Sequence, residues 1–570
     1  MSLVCLGSSS NQQPFPTRIQ SMTAFNNKNT PVMARCLLSV AIASSLLLVG
    51  CGDDDRDFKP STNTNVNDPK NISKFTASQM DQELAEATKF GKEVTPDAKC
   101  GVTVEKISYQ TKGSGGEATN ATAALMLPSG SDPSCQGDRP VLLHAHGTAV
   151  EKSYDFTQVG NTENTAGVRA TLMAANFAAQ GYIVVVPNYA GYDESTLDYH
   201  PYLNAKQQSE EMVTALDTAR AAIEQQQKAN NPNYVNVKDS GKLFLTGYSQ
   251  GGHVVMATAR LLEEQNKPVT AIAPSSGPYA LAAFGDAIFA GNVNLGSTKF
   301  APLIVASFQK VKNDIYRNPT ELLSAAYADT VLPNILGFNE LVKNGKIPAN
   351  ALFQKAPTGI DAIDQLPPSP LPFASVGFDD NEYLIQSSFR AAYLADAQAN
   401  PDGLLAPSGN AMTAANPQNN LRKALKDNDV RDYIPSMPTL ICGGNQDPTV
   451  FFDINTGAVA GILQRASAAN PKSNINVTVL DVDATNATKR PNQSTLTMIG
   501  NASMNAWDAQ TVVSGVQGKF AGTLQQTIVD ATNQGANPQT AVLSNYHAGL
   551  VSTACTNATR QFFDQEFKNL

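Results

Sequence analysis

No stretch of the sequence is basic enough to serve a nucleic acid: the formal charge is −9 over 570 residues, and no long lysine–arginine run occurs. Cys-x-x-Cys is absent, and no cysteine–histidine cluster has metal-ligand spacing, so neither a metal nor a cofactor is expected. Histidine is scarce, five in all, which makes the position of each one informative. There is no internal repeat. The apolar run near the start, Cys36 to Val49, falls short of the about 20 residues that a transmembrane helix needs. What remains is an ordinary globular composition, 42% hydrophobic and 16% charged, long enough for a large core or for several domains.

The first 50 residues have the layout of an export signal. Arg35 precedes the apolar run, which ends Leu48-Val49-Gly50-Cys51 and is followed by Gly52-Asp53-Asp54-Asp55. This resembles the lipobox of a bacterial lipoprotein, which implies lipid on Cys51 and a chain anchored to the cell envelope, at the outer membrane in preference to the inner. A plain secretory signal or an uncleaved anchor is the other reading. Loss of Arg18, Lys28 and Arg35 with the signal takes the charge to −12. Residues 51–75 are rich in Asp, Asn, Ser, Thr and Pro and read as a flexible tether, with periodic structure from near Phe75.

Seven cysteines are present. Cys5 and Cys36 leave with the signal and Cys51 carries lipid, so Cys100, Cys135, Cys442 and Cys555 remain. An even count in an exported chain is compatible with disulfides. Cys100 and Cys135 bracket two predicted strands and form the favoured pair. Cys442 and Cys555 are then a second pair by elimination, or two buried thiols.

Two strands are predicted at Val102–Thr111 and Thr119–Leu127. Thr103, Glu105, Ile107 and Tyr109 alternate onto one face, which suggests an exposed antiparallel start to a sheet. An apolar run then ends in His144-Ala145-His146-Gly147-Thr148. A helix over Thr165–Gln180 stops at Gly181, and Ile183–Pro187 is a continuous β-branched strand. A helix follows over Gln207–Gln225, with another strand at Val269–Ala273. This alternation predicts an α/β fold with a mostly parallel sheet. From about Tyr279 to Tyr433 the rhythm breaks into long loops and helical patterns at Glu321–Val331 and Glu382–Ala397. The sheet resumes at Pro438–Gly444, with a further strand at Val477–Val482 and a terminal helix over Leu550–Phe567. A second insertion runs from about 484 to 540.

Between the strand and the helix of Lys242–Met256 stands Gly247-Tyr248-Ser249-Gln250-Gly251, a complete G-x-S-x-G. A nucleophile lifted onto a tight strand-to-helix turn needs neighbours without side chains, and the helix N-terminus favours developing negative charge. Acyl transfer from serine also needs a base, a carboxylate to orient that base, and donors for the oxyanion. Ser249, Asp447 and His547 follow the chain order Ser, Asp, His. Asp447 lies just after a strand, with Asp453 as its competitor, and His547 is expected in a loop. The N–H groups of Gln250 and Thr148 are the candidate oxyanion donors. His144, His146 and His253 read as structural braces of that loop and the elbow.

At HAHGT (144–148), GYIVVVPNYAGYD (181–193), HPYL (200–203), GYSQGGH (247–253) and GGNQDPTV (443–450) the chain resembles the secretory-lipase-like branch of the α/β-hydrolases. The resemblance implies a carboxylic-ester hydrolase with a helical cap over the acyl pocket. It implies Ser249 as nucleophile, Asp447 as orienting acid and His547 as base. The expected layout is a hydrolase core over 76–278 and 434–570, interrupted by a cap at 279–433. The expected substrate is a small-molecule or lipid ester. Peptidase or thioesterase chemistry on the same fold, or a non-catalytic surface-binding lipoprotein, are the rival readings.

Overall fold

The computed structural model describes residues 68–331, 337–404, 415–486, 494–502 and 509–566. The expected signal peptide, Cys51 and most of the tether lie outside the described residues. Among the described residues the first element is β1 (Lys70–Phe75), ahead of the expected onset near Phe75. It continues through β2 (Gly101–Lys112), β3 (Ala118–Ser129), β4 (Gly137–Ala145), β5 (Ile183–Pro187), β6 (Val237–Tyr248) and β7 (Ala271–Ser275). After a long excursion come β8 (Thr439–Gly443), β9 (Asn476–Asp481) and β10 (Leu496–Gly500). All ten form one sheet in the order β1-β2-β3-β5-β4-β6-β7-β8-β9-β10. The pairings from β5 to β9 are parallel, and those at the two ends are antiparallel.

The face of β2 expected to meet solvent is buried: Thr103, Glu105, Ile107 and Tyr109 are all at most 5% exposed. Alternation on an antiparallel strand assumes one wet face, and here neighbours cover both. Helix α1 (Ala77–Ala87) starts from a Thr76–Gln79 capping box and buries Met80 and Leu84 in the same core. Beyond α2 (Lys89–Val94) and α3 (Gly167–Asn176), helix α4 (Ala205–Lys228) carries Glu211, which accepts from the Tyr109 hydroxyl at 3.1 Å. Glu105 in turn accepts from Asn71 of β1 at 3.0 Å.

Helix α5 (Gln250–Glu264) follows β6 directly. After β7 the excursion opens with α6 (Leu281–Phe289) and α7 (Ser297–Lys312). The expected helix over Glu321–Val331 is two short turns instead, Pro319–Leu322 and Ala328–Val331, separated by residues that pair and turn. The excursion ends in α8 (Ser387–Ala399) and α9 (Asn420–Asp427). It has an apolar cluster of its own, including Phe289, Leu303, Phe308, Tyr393 and Leu425. Two buried arginines fasten it: Arg422 pairs with Asp286 and Asp396, and Arg431 with Asp402 and Asp429.

The late insertion is ordered where it is described. It supplies β10 and, after α10 (Ala458–Ala469), the 25-residue α11 (Ala509–Asn533). Then come α12 (Pro538–Asn545), a π-helical turn over Tyr546–Val551 and α13 (Ser552–Glu566). Among the described residues no helix is long and apolar enough to cross a membrane.

Two disulfides close the fold. Cys100–Cys135 ties the start of β2 to the turn before β4, and Cys442–Cys555 ties β8 to α13. By loop length, across 35 and 113 residues, they stabilise by about 4 and about 5 kcal/mol through the unfolded chain. Replacing either pair by serine should lower the unfolding free energy in urea by up to that amount. An unchanged midpoint on reduction would count against the linkage.

Candidate active site

Ser249 sits at the junction of β6 and α5 with φ 59° and ψ −123°, a conformation that costs a non-glycine residue roughly 1–3 kcal/mol. On either side Leu243, Phe244, Leu245, Val254, Val255 and Met256 are at most 1% exposed. Each such side chain contributes about 1.5–3 kcal/mol by burial, so packing outweighs the strain. Two glycines make the turn possible. A Cβ on Gly251 would stand 2.0 Å from the Ala145 carbonyl oxygen, and one on Gly247 would stand 2.3 Å from that of Gly251. The Ser249 N–H donates to the Ser275 carbonyl at 3.0 Å, tying the elbow to β7.

Asp447 and His547, 100 residues apart, meet through a hydrogen bond of 2.6 Å from Nδ1 to Oδ2. The other carboxylate oxygen, Oδ1, accepts from the N–H groups of Thr449 at 2.9 Å and Val450 at 3.0 Å, which fixes the carboxylate plane. Asp453 takes no part in this contact. His547 lies on the π-helical turn, not in a loop as expected. Its Nε2 is buried and finds no partner among the described residues. With Nδ1–H donated to Asp447, Nε2 is the ring nitrogen left without a proton, and His547 and Ser249 line one cavity.

Several side chains hold that turn, and the residue spacing gave no sign of them. The Tyr248 hydroxyl donates to the His547 carbonyl at 2.6 Å. Arg169 of α3 donates to the Ala548 carbonyl and to the Ser552 hydroxyl. Tyr546 donates to Asp483 at 2.6 Å and meets Phe520 of α11 edge to face. Its place directly before His547 was the one available signal. Asp483 also accepts from Gln446 at 2.7 Å, so one carboxylate joins the loop of Asp447 to the turn of His547.

Gln250 opens α5, so its N–H has no partner inside the helix. Its side chain donates to Nε2 of His200 at 2.7 Å, while Nδ1–H of His200 donates to the Ala190 carbonyl at 2.9 Å. Gly147 packs on the elbow: a Cβ there would lie 3.6 Å from the Ser249 Cβ. The following residue, Thr148, lines the same cavity as Ser249, with its hydroxyl 2.7 Å from that of Tyr202. His146 stands among Tyr154, Tyr189 and Tyr192, and His253 contacts the Asn428 carbonyl at 2.7 Å.

Two cavities meet at Ser249. One, a void of about 860 Å³ with open solvent included, runs into the excursion between β7 and β8. Leu281, Phe284, Ile288, Phe300, Ile304 and Leu425 line it. The other, about 1280 Å³ on the same basis, contains Thr148, Arg169, Lys299 and His547. Among the described residues no group of three His, Cys, Asp or Glu side chains could hold a metal ion.

Residues 162–277 match the family model of dienelactone hydrolases. The rice cell wall degrading esterase LipA from Xanthomonas oryzae is 25% identical, with a TM-score of 0.55 over 74% of this chain and 92% of that one. The protein is a hydrolase of the α/β fold. A protein from Legionella pneumophila shares that fold at 18% identity and a TM-score of 0.50, over 70% of this chain and 88% of that one. No curated protein matches the sequence.

The histidines of this α/β-hydrolase give it an acid limit. Burial lowers His144 and His200 to about 3, and His146 and His253 to about 4. Their stability contribution is present above the unfolded value of 6.5 and is lost as pH falls, because the unfolded chain protonates first. Burial raises Glu211 and Asp481 to about 7, which acts in the opposite sense. Their contribution is present below the unfolded carboxylate range and is lost as pH rises through 7. Four histidines against two carboxyls leave a net uptake of about two protons on unfolding near pH 5. Stability should therefore fall by about 2 kcal/mol between pH 6 and pH 5. Urea melts across that range test this, and a flat profile would refute it.

Proposed function

We propose that this hydrolase is a serine esterase or lipase that cleaves carboxylic esters with an apolar acyl chain. The observation that carries the reading is the Asp447–His547 hydrogen bond, which leaves Nε2 buried and unpartnered on a residue that lines the same cavity as Ser249. In this mechanism His547 Nε2 takes the Ser249 proton as Oγ attacks the ester carbonyl. Asp447 holds the tautomer and stabilises the imidazolium that forms. The oxyanion develops toward the N–H groups of Gln250 and Thr148. His547 then protonates the departing alcohol, and water, activated in the same way, releases the acid. No metal or cofactor enters these steps.

The proton must be delivered to the leaving oxygen, so the alcohol half belongs in the cavity that contains His547. The acyl chain then takes the apolar cavity into the 279–433 segment, which acts as the cap and sets chain length. Within that segment Phe284 lines the cavity, while Phe308 is fully buried in the segment's own cluster. The esterase activity in the description of LipA agrees with this reading.

Fluorophosphonate labelling tests the nucleophile: wild type should label, and Ser249→Ala should neither label nor hydrolyse p-nitrophenyl esters, a loss of about 10³-fold or more. Labelling of the alanine variant would exclude Ser249, and an unreactive wild type would favour a binding lipoprotein. In the same assay Ile304→Trp should shift the preferred acyl chain to shorter esters, and an unchanged profile would remove the cavity as the acyl site.

We further propose that the mature chain begins at a lipidated Cys51 and is held at the bacterial envelope. The Leu48–Cys51 motif and the polar stretch behind it support this. Intact mass of detergent-extracted protein should show acyl mass on a chain starting at Cys51. A soluble product cut elsewhere would sink the proposal.

A further inference from the structure

The cavity that contains His547 has a charge of one sign. Arg169 and Lys299 both line it, together with Ser249 and His547, and no aspartate or glutamate among the described residues does. This is unusual in a chain with 50 acidic and 41 basic residues. Neither cation has a carboxylate within ion-pair distance among the described residues. Elsewhere Lys106 meets Asp155 and Asp193, and Arg422 and Arg431 each meet two aspartates, whereas the buried Arg139 and Arg390 donate to backbone carbonyls and line neither cavity at Ser249.

Arg169 spends two of its five N–H donors on the Ala548 carbonyl and the Ser552 hydroxyl. The Lys299 ammonium lies over the Phe338 ring, 5.2 Å from its centre, and feels Glu151 only from beyond ion-pair distance. Lys299 is also in the first turn of α7, and Leu295 and Gly296 just ahead of that helix line the same cavity. The partial positive charge of the helix start adds to that of the side chain. Burial lowers the pKa of both cations, the mark of charges taken out of water without a counter-ion. A desolvated, unmatched pair of cations is unfavourable in the empty enzyme and becomes favourable when an anion arrives.

We infer that the alcohol half of the substrate carries an anionic group, a carboxylate or its equivalent, received between Arg169 and Lys299. The inference rests on the esterase reading above, which puts the leaving alcohol beside His547. The bond made and broken is unchanged: the acyl–oxygen bond breaks, His547 protonates the alkoxide, and the anion stays on the departing alcohol. The apolar cavity takes the acyl chain and the cationic cavity the other half, so the preferred ester is amphiphilic, with its charge on the alcohol side.

The test compares two esters of one acyl chain, hexanoyl 5-hydroxypentanoate and hexanoyl 5-hydroxypentanamide, which differ in charge far from the scissile bond. In wild type the ratio of kcat/KM, anionic over neutral, should be about tenfold, the scale of one charge-assisted hydrogen bond. Lys299→Gln should bring the ratio toward one, and Lys299→Glu should take it below one. The ratio cancels any general loss of activity in a variant. Turnover of both esters with a wild-type ratio of one or less, or a ratio that Lys299→Glu leaves unchanged, overturns the inference while the esterase reading stands. Turnover of neither ester overturns the esterase reading and the inference with it.

Discussion

A single strained residue sets the terms for the rest of the molecule. Ser249 occupies a backbone conformation that a serine does not choose, and it stays there because β6 and α5 are locked into the core on both sides of it. The close approach of Gly251 to Ala145 shows how little slack the turn has. Everything with a chemical role is referred to this point. The loop after β4 lies against it through Gly147, β7 holds its N–H, and the two cavities meet on its side chain. The parallel centre of the sheet is what gives the point its position, since β4, β6 and β7 end together beneath it.

His547, the proposed base, is held differently. His547 does not belong to the core strands but to a helical turn that four separate elements support. Tyr248 reaches it from the elbow, Arg169 from α3, Asp447 from the loop after β8, and Tyr546 anchors its near end through Asp483 and α11. The hydrogen bond to Asp447 would be worth little at a wet surface. Here it is buried and its carboxylate is fixed by two further N–H donors, so it sets the imidazole's tautomer and aim.

These differences track what was legible in the residues. The elbow and the β-branched strand at 183–187 are local patterns, each dictated by chemistry within a few residues, and the structure has a strand-to-helix turn at Ser249 and a buried strand at 183–187. The pairing of Cys100 with Cys135 was legible because the two strands between them are. The burial of β2 was not, since it depends on β1 and α1 arriving from a stretch whose composition reads as a tether. Helix α11 and β10 were hidden for a related reason. Their sequence is rich in Gly, Thr, Gln and Asn, and only packing against Tyr546 and β9 makes them regular. The turn at 546–551 follows Asn545 and contains Gly549, which suggest a loop, and the flanking helices override that local preference. The roles of Tyr248 and Arg169 are purely tertiary and leave no trace in spacing.

The bond between Cys442 and Cys555 reaches beyond the stability of the fold. Asp447 and His547 both lie inside the loop that it closes. One cut of the backbone anywhere between them by a protease would leave two fragments still covalently joined. The acid and the base would then be retained by one another across the nick, and the sheet that β8 belongs to would keep α13 tethered to it. An enzyme built this way separates the continuity of its chain from the continuity of its active site.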